Sequence, residues 1–387
     1  MIFQADKKNH FSNSTSLKKS GLRSGFFCTY RQILPYNCRA KVMIRILLAF
    51  FIFCCSIIPP SLAQDSKSNL NKFYDSAYVT EQPDMMGLRL YFSKKFTDLI
   101  VNVPGQDRRF SFQPNSGRNL GVGFTYQKFS LNLAFPIGFL NKDRYQDWPL
   151  FLDLQAHVYP KKMIIDFFGQ YYNGFSMDRR FLTESAEDYA REDISLLKLG
   201  LNYNYLFNGE KISLAAAFNQ SATQKRSAFS PFVGFEVYGG RIKSDSLLLP
   251  NNEEVDNLNF NQTNFFQFGP NAGLAGTLVF WKHFFVTAVV SGNLSLGYAS
   301  YENQSKTDRF GLIPTYFLRG FMGYNGKRYS VNINYVYKNL NLIPNGPFDQ
   351  ALNTGNYRLN FIYKIHPGDK FKAKFQKINP ARLFSKD

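Results

Sequence analysis

The 387-residue chain has little of three things, and each scarcity narrows its class. Cysteine occurs four times, at Cys28, Cys38, Cys54 and Cys55, so nothing beyond residue 55 can form a disulfide or a thiolate-held metal site. There is one uncharged apolar run, about 18 residues around positions 46–62; with a mean hydropathy of −0.27 this excludes a bundle of membrane-spanning helices. Catalytic signatures are missing as well. The sequence holds no Gly-x-Ser-x-Gly, His-Glu-x-x-His, phosphate-binding Walker loop or Cys-x-x-Cys, and its four histidines are His10, His157, His283 and His366. Gly121-Val122-Gly123 lacks the third glycine of a dinucleotide loop and lies in an alternating strand pattern.

What is abundant is aromatic: 41 Phe and 23 Tyr, in a chain 44% hydrophobic and only 19% charged. That composition excludes a disordered, solvated polymer. The 46 Lys and Arg against 28 Asp and Glu suggest basicity, yet much of it lies at the ends. Met43-Ile44-Arg45, the apolar run and a small-residue exit at Ser61-Leu62-Ala63 read as a secretory signal peptide cleaved before Gln64. Pro59-Pro60 argues against a membrane anchor there. Residues 1–42 are polar and basic, and read as an over-called extension upstream of a start at Met43. Removing residues 1–63 lowers the net charge from +18 to +10, and setting aside the basic tail at 366–387 leaves +6. A nucleic-acid partner is not expected at that charge.

From residue 117 onward the chain repeats one device, two alternating apolar stretches around a short polar turn, the pattern of a β-hairpin. A two-residue turn at Gln127-Lys128 sets Tyr126 opposite Phe129, Phe124 opposite Leu131 and Val122 opposite Leu133, so both apolar sets share a face. The same test passes about Lys161-Lys162, Asn208-Gly209 and Asn325-Gly326. The Asn208-Gly209 hairpin would pair 199–205 with 212–218, placing Lys198 opposite Asn219, and the Asn325-Gly326 hairpin would place Arg319 opposite Asn332. A fifth hairpin, about Lys282-His283, is apolar on both faces and does not reveal its inside. Long polar segments separate the hairpins.

Short turns alternating with long loops, strands near ten residues and aromatic strand ends point to an all-β fold, a closed antiparallel transmembrane β-barrel. The competing architecture is a soluble exported sandwich or lipocalin-like barrel with its apolar face inward. The face opposite the apolar one carries Asp153, His157, Asp166, Lys198, Asn202 and Arg319, residues suited to a polar lumen and costly in lipid. Thirteen strands can be counted, one of them at 211–219. Because bacterial barrels are even, and a long connection at 242–266 falls where a short turn is due, the expectation is about 12 strands, within a range of 10 to 14. The domain reading is an N-terminal periplasmic segment over 64–84, a barrel over 85–365 and a basic periplasmic tail over 366–387, disordered rather than folded.

Arg89-x-Tyr91 with Lys95-Phe96-Thr97, then Gln113-Pro114-Asn115 and Leu120-Gly121-Val122-Gly123-Phe124, resembles an uncharacterised Bacteroidetes outer-membrane barrel family, domain of unknown function four-four-two-one. Asp153-Leu154-Gln155, Asp166 with Gln170, and Tyr172-Asn173-Gly174-Phe175 resemble its other recurrent stretches, over about residues 73–365. The resemblance implies a barrel in the outer membrane and brings no assigned activity, cofactor or metal. Its motif positions here are Arg89, Tyr91, Lys95, Asn115, Gly121, Gly123 and Gly174.

Pairing about Lys161-Lys162 puts His157 opposite Asp166 and Asp153 opposite Gln170, which with Gln155 form a polar cluster on the lumenal face. A His beside a carboxylate can serve as a base, but no nucleophile is tied to the pair, so a hydrogen-bonded structural cluster is favoured over a hydrolase. Lys198 and Arg319 are lumenal cations that either bias a pore towards anions or balance lumenal acids such as Asp153, Asp166 and Glu236. The acidic run Glu184, Glu187, Asp188, Glu192 and Asp193 reads as a solvated loop. The functional expectation is a narrow pore or small-solute uptake component in the outer membrane, not an enzyme, with lipid and the barrel-assembly machinery as partners. A plugged barrel acting through its loops is the alternative.

Overall fold

Period-two alternation forces one face of every strand outward, and here the outward face is apolar on strand after strand. The computed structural model describes residues 73–378, apart from 104–107, 115, 127–128, 138–151, 161, 178–188, 249–259, 304 and 347. On β8 (Tyr189–Leu206) and just beyond it, Leu197, Leu199, Leu201, Tyr203, Tyr205 and Phe207 are exposed while Lys198, Asn202 and Asn204 are buried. The same division runs through β10 (Ala228–Lys243), β11 (Gln262–Phe280), β12 (Phe284–Glu302), β13 (Lys306–Asn325), β14 (Tyr329–Asn341) and β15 (Asp349–Ile365). At about 3.3 Å a residue and a tilt near 40°, the ten steps from Leu197 to Phe207 rise roughly 25 Å, the height of a bilayer's apolar layer. Tyr203, Tyr205, Tyr324, Tyr329 and Tyr363 ring the short-turn rim, with Trp281 at the tip of the β11–β12 turn. A soluble barrel would turn this belt inward, so the fold is a transmembrane barrel.

The wall closes. β2 (Met86–Val103) pairs with β15 along its whole length, and the ring continues antiparallel through β14, β13, β12, β11, β10, β8 and β7 (Met163–Met177) to β3 (Arg108–Pro114), which returns to β2. β4 (Arg118–Tyr126) takes over from β3 along the other half of β2, so the two occupy one wall position in succession. β5 (Phe129–Pro136) pairs with β4, and β6 (Leu152–Val158) pairs with β7. The ring thus holds ten strands at the long-loop end and about twelve at the short-turn end; among the described residues no ladder joins β5 to β6. The hairpin about Gln127-Lys128 has the expected register, Tyr126 opposite Phe129 and Val122 opposite Leu133.

Two registers and the tail differ from expectation. Residues 211–219 are not a wall strand: β8 pairs directly with β10, Lys198 lies opposite Gly240 and Gln170, and the segment between folds inward. There Ser213 caps the helix α1 (Leu214–Phe218), its side chain accepting from Ala216 N at 3.2 Å. The run Ala215-Ala216-Ala217 favours helix, and Ile212, Leu214, Ala216 and Ala217 are all buried, so nothing requires a two-faced strand. With 207–227 recognised as a short-turn-side connection, the end of β10 at Lys243 and the start of β11 at Gln262 fall at the long-loop end, and the alternation that fails in the sequence count is restored. Arg319 pairs with Val336, and Asn332 with Gly323, because the two-residue turn falls at Lys327-Arg328, closed by Gly326 N donating to Tyr329 O at 3.0 Å, rather than at Asn325-Gly326. Finally, the tail is not featureless: residues 369–378 form the helix α2 (Asp369–Ile378). The signal-peptide reading and residues 1–72 lie outside the described residues.

Candidate functional site

Among the described residues the predicted polar cluster and cations converge on the lumen, which is stacked in three layers. At the long-loop end an apolar core crosses the interior: Leu99, Phe112, Phe175, Ile194, Tyr301 and Leu342 belong to one buried cluster drawn from strands all round the ring. Aromatic rings lie down over the neighbouring strand because glycines at the paired positions give them room. A Cβ on Gly121 would meet the Tyr91 ring at 2.1 Å, and one on Gly200 would meet Tyr238 at 2.2 Å. This accounts for two of the motif positions: Gly121 is the bed on which Tyr91 lies, at 3% exposure.

Beneath it lies an ionic layer. Asp166 on β7 is fully buried and accepts from Arg319 on β13, from Asn202 Nδ2 at 2.8 Å, and shares a 2.7 Å hydrogen bond with His157 Nδ1. The strands of Arg319 and Asp166 have β12, β11, β10 and β8 between them, so the contact spans the lumen. Lys338 on β14 donates to both carboxylate oxygens of Glu236 on β10, at 2.6 and 2.8 Å, and Thr315 Oγ1 donates to the same carboxylate at 2.8 Å. Lys198 Nζ donates to Thr354 Oγ1, from β8 to β15, with β14, β13, β12, β11 and β10 between. By the shorter way round the ring these two strands have β7, β3 and β2 between them, so this contact also crosses the lumen.

The predicted polar cluster is assembled, with additions. His157 does lie opposite Asp166, and Asp153 opposite Gln170. Tyr172 donates to Asp153 Oδ2 at 2.8 Å, Gln170 Nε2 donates to Asp153 Oδ1 at 3.2 Å, and Gln155 Nε2 donates to the same oxygen at 3.0 Å. Lys95 donates to the Asp153 carbonyl at 2.6 Å. Arg89 faces inward, donating to Asn132 Oδ1 at 2.8 Å; Gly123 pairs with Arg89 and Asn132 in the ladder. Gly174 adopts φ +88° at the bulge between Asn173 and Phe175, a left-handed conformation that glycine accepts without strain. Asn115 lies outside the described residues.

The third layer, at the short-turn end, is the inward segment 207–227. Its strand β9 (Ala222–Gln224) pairs with β1 (Val79–Glu81), giving a two-stranded sheet beside the barrel mouth. Gln224 holds the fold of the segment, accepting from Ser213 N at 2.9 Å and donating to Lys211 O at 2.7 Å. The plug is tied to the wall by Asn332 Nδ2 to Ala217 O at 2.9 Å, Arg89 to Asn219 O at 3.2 Å, and Asn325 Nδ2 to Ala222 O at 2.9 Å. The Phe218 ring sits 5.7 Å from His157, 5.4 Å from Tyr159 and 6.0 Å from Phe321, edge-on in each case. His157 is therefore shut between Asp166 and the plug. Among the described residues, no three His, Cys, Asp or Glu side chains converge as metal ligands.

Sequence reasoning missed Lys338, which falls at the end of a strand in the pattern, and the plug itself. Ser213 followed by Ala215-Ala216-Ala217 is the signal that could have found the plug.

The model of a family described as a domain of unknown function (DUF4421) matches residues 73–365. No curated protein matches the chain. Among solved structures, the chain is similar to the outer membrane protease OmpT of Escherichia coli, at 10% identity over 74% of this chain and 97% of that one, with a TM-score of 0.31. It is similar to the β domain of the Bordetella autotransporter BrkA at 11% identity, 72% and 99% coverage and a TM-score of 0.28. The Pseudomonas putida toluene transporter TodX aligns at 9% identity, 74% and 91% coverage and a TM-score of 0.23.

Proposed function

Since the chain belongs to the family described as a domain of unknown function (DUF4421), whose description carries no activity, we propose a function from the lumen itself: an outer-membrane β-barrel with a sealed interior, acting through its two ends as a structural or binding protein rather than as a conduit. The observation that carries this reading is the pair of lumen-spanning contacts, Lys198 to Thr354 and Arg319 to Asp166, made by side chains almost wholly buried. A pore needs its cations solvated and facing a passage; these two are spent on opposite walls. The apolar layer above and the plug helix below support the same reading. A fully desolvated charge is tolerated only when paired and hydrogen-bonded, and Asp166 and Glu236 each meet that condition.

The exposed apolar belt needs lipid, and closed barrels occupy the bacterial outer membrane with their short turns towards the periplasm. In that orientation the plug and the described chain ends face the periplasm, and the strand ends at Met177, Tyr189, Lys243 and Gln262 face outward. A hydrolase built on His157 finds no support, because the ring is 4% exposed and no lipid ester can reach it. Solute efflux from proteoliposomes tests the reading: vesicles carrying the folded barrel retain a small sugar as well as empty vesicles do. Release that scales with protein content would overturn it.

A further inference from the structure

The strand β15 ends at Ile365, and after His366, Pro367 and Gly368 the chain turns back as α2 along the outside of the wall. Phe371 and Phe375, one helical turn apart, stack on one another at 5.9 Å. Both pack edge-on against Tyr126 of β4, at 5.7 and 4.9 Å, and Phe375 also meets Phe124 at 6.4 Å. Tyr126 pairs with Met86, which pairs with Ile365, so this contact lies on the last rung of the wall at the short-turn rim. Tyr329 and Tyr363 ring the barrel at the same level.

The remaining faces of α2 are cationic. Lys370 and Lys374 are exposed, and Lys372 is half-buried with its ammonium 3.3 Å from Asp369. With Lys377 the helix has four lysines against one acid. A short helix with aromatic residues on one side and lysines on its flanks, held where a bilayer's apolar layer ends, has the form of an interfacial helix, whose lysine stems lie along apolar surface while their ammonium groups reach the headgroups.

We propose that α2 is a clasp for anionic phospholipid headgroups, gripping the leaflet on the short-turn side. Its aromatic side fixes it to the wall, and its lysines hold lipid phosphates in place beside β4 and β2. The occupant follows from position: whatever touches the belt must touch the helix lying on its edge, and the charge of that helix selects the anionic members of the leaflet. The inference rests on the transmembrane reading of the belt and is independent of whether the lumen conducts.

The test is amide hydrogen exchange of residues 369–378 with the chain refolded in nanodiscs of phosphatidylcholine alone, or with about a third of phosphatidylglycerol. The expected result is exchange about tenfold slower in the anionic discs, reversed by roughly 0.5 M salt and by the triple variant K370Q/K372Q/K374Q. Phe371→Ala with Phe375→Ala should speed exchange in both lipids. Equal protection in the two lipids, or a lipid-dependent gain that survives in the triple variant, would overturn the proposal. Protection that arises only when isolated cell-wall polymer is added would do the same. The amides of β14 serve as the control, since they stay protected in every disc as long as the barrel itself is intact.

Discussion

Lys338→Met is the most informative single change. Lys338 and Glu236 are 2% and 1% exposed, and Lys338 is the only cation that donates to that carboxylate among the described residues. Methionine keeps most of the side-chain length and removes the charge, leaving Glu236 with only the Thr315 hydroxyl. Uncompensated buried charges cost about 3–5 kcal/mol, so the variant should lose that much stability. In the double variant Lys338→Met with Glu236→Met the charge problem disappears, and stability should return to within about 1 kcal/mol of the parent, because apolar replacement of a buried pair is close to neutral. The assay is urea unfolding of the refolded barrel in vesicles, followed by circular dichroism and by heat-modifiable gel mobility. If Lys338→Met costs less than about 1 kcal/mol, water reaches Glu236 and screens it, and the lumen at that level is not sealed.

Glycines separate close approach from open space: Gly200→Ala drives a methyl into the Tyr238 ring and should lose about 1–3 kcal/mol, while Gly292→Ala, with nothing within 4 Å, should be neutral or slightly stabilising. Phe218→Ala removes the ring wedged among His157, Tyr159 and Phe321, and should cost about 2–4 kcal/mol and expose Lys211 and Lys225 to faster trypsin cleavage. Asp193, above the apolar belt, is held at a pKa of about 2, chiefly by its hydrogen bonds from Arg191 and also by the Ser246 and Asp245 amides. Because the folded value lies below the ordinary carboxylate value near 3.9, this clamp is complete above about pH 4 and is lost as pH falls through 2. Amide exchange at Asp245 and Ser246 should therefore show a drop in protection between those limits, absent in Asp193→Asn.

The sequence made the two faces legible on most strands because lipid keeps the outward positions apolar along the belt. Tyr126 opposite Phe129 and His157 opposite Asp166 followed from parity plus a short turn. Where the two-residue turn fell two positions later than it looked, at Lys327-Arg328, the face was right and the register moved by four residues. Asn208-Gly209 misled for a different reason. A strong hairpin dipeptide was followed by residues buried on all sides, and alternation cannot distinguish a wall strand from a plug whose every side chain is packed. The ionic layer was legible only residue by residue. Arg319 and Asp166 are 153 positions apart and meet because the sheet curls shut, a proximity that hairpin periodicity does not encode.

The central claim is that the lumen is sealed, and single-channel recording in a planar bilayer tests it most directly, with heat-modifiable mobility confirming a folded barrel in the same preparation. The account predicts a folded protein that stays silent across the ordinary voltage range. Discrete, reproducible conductance steps from the folded barrel would contradict it.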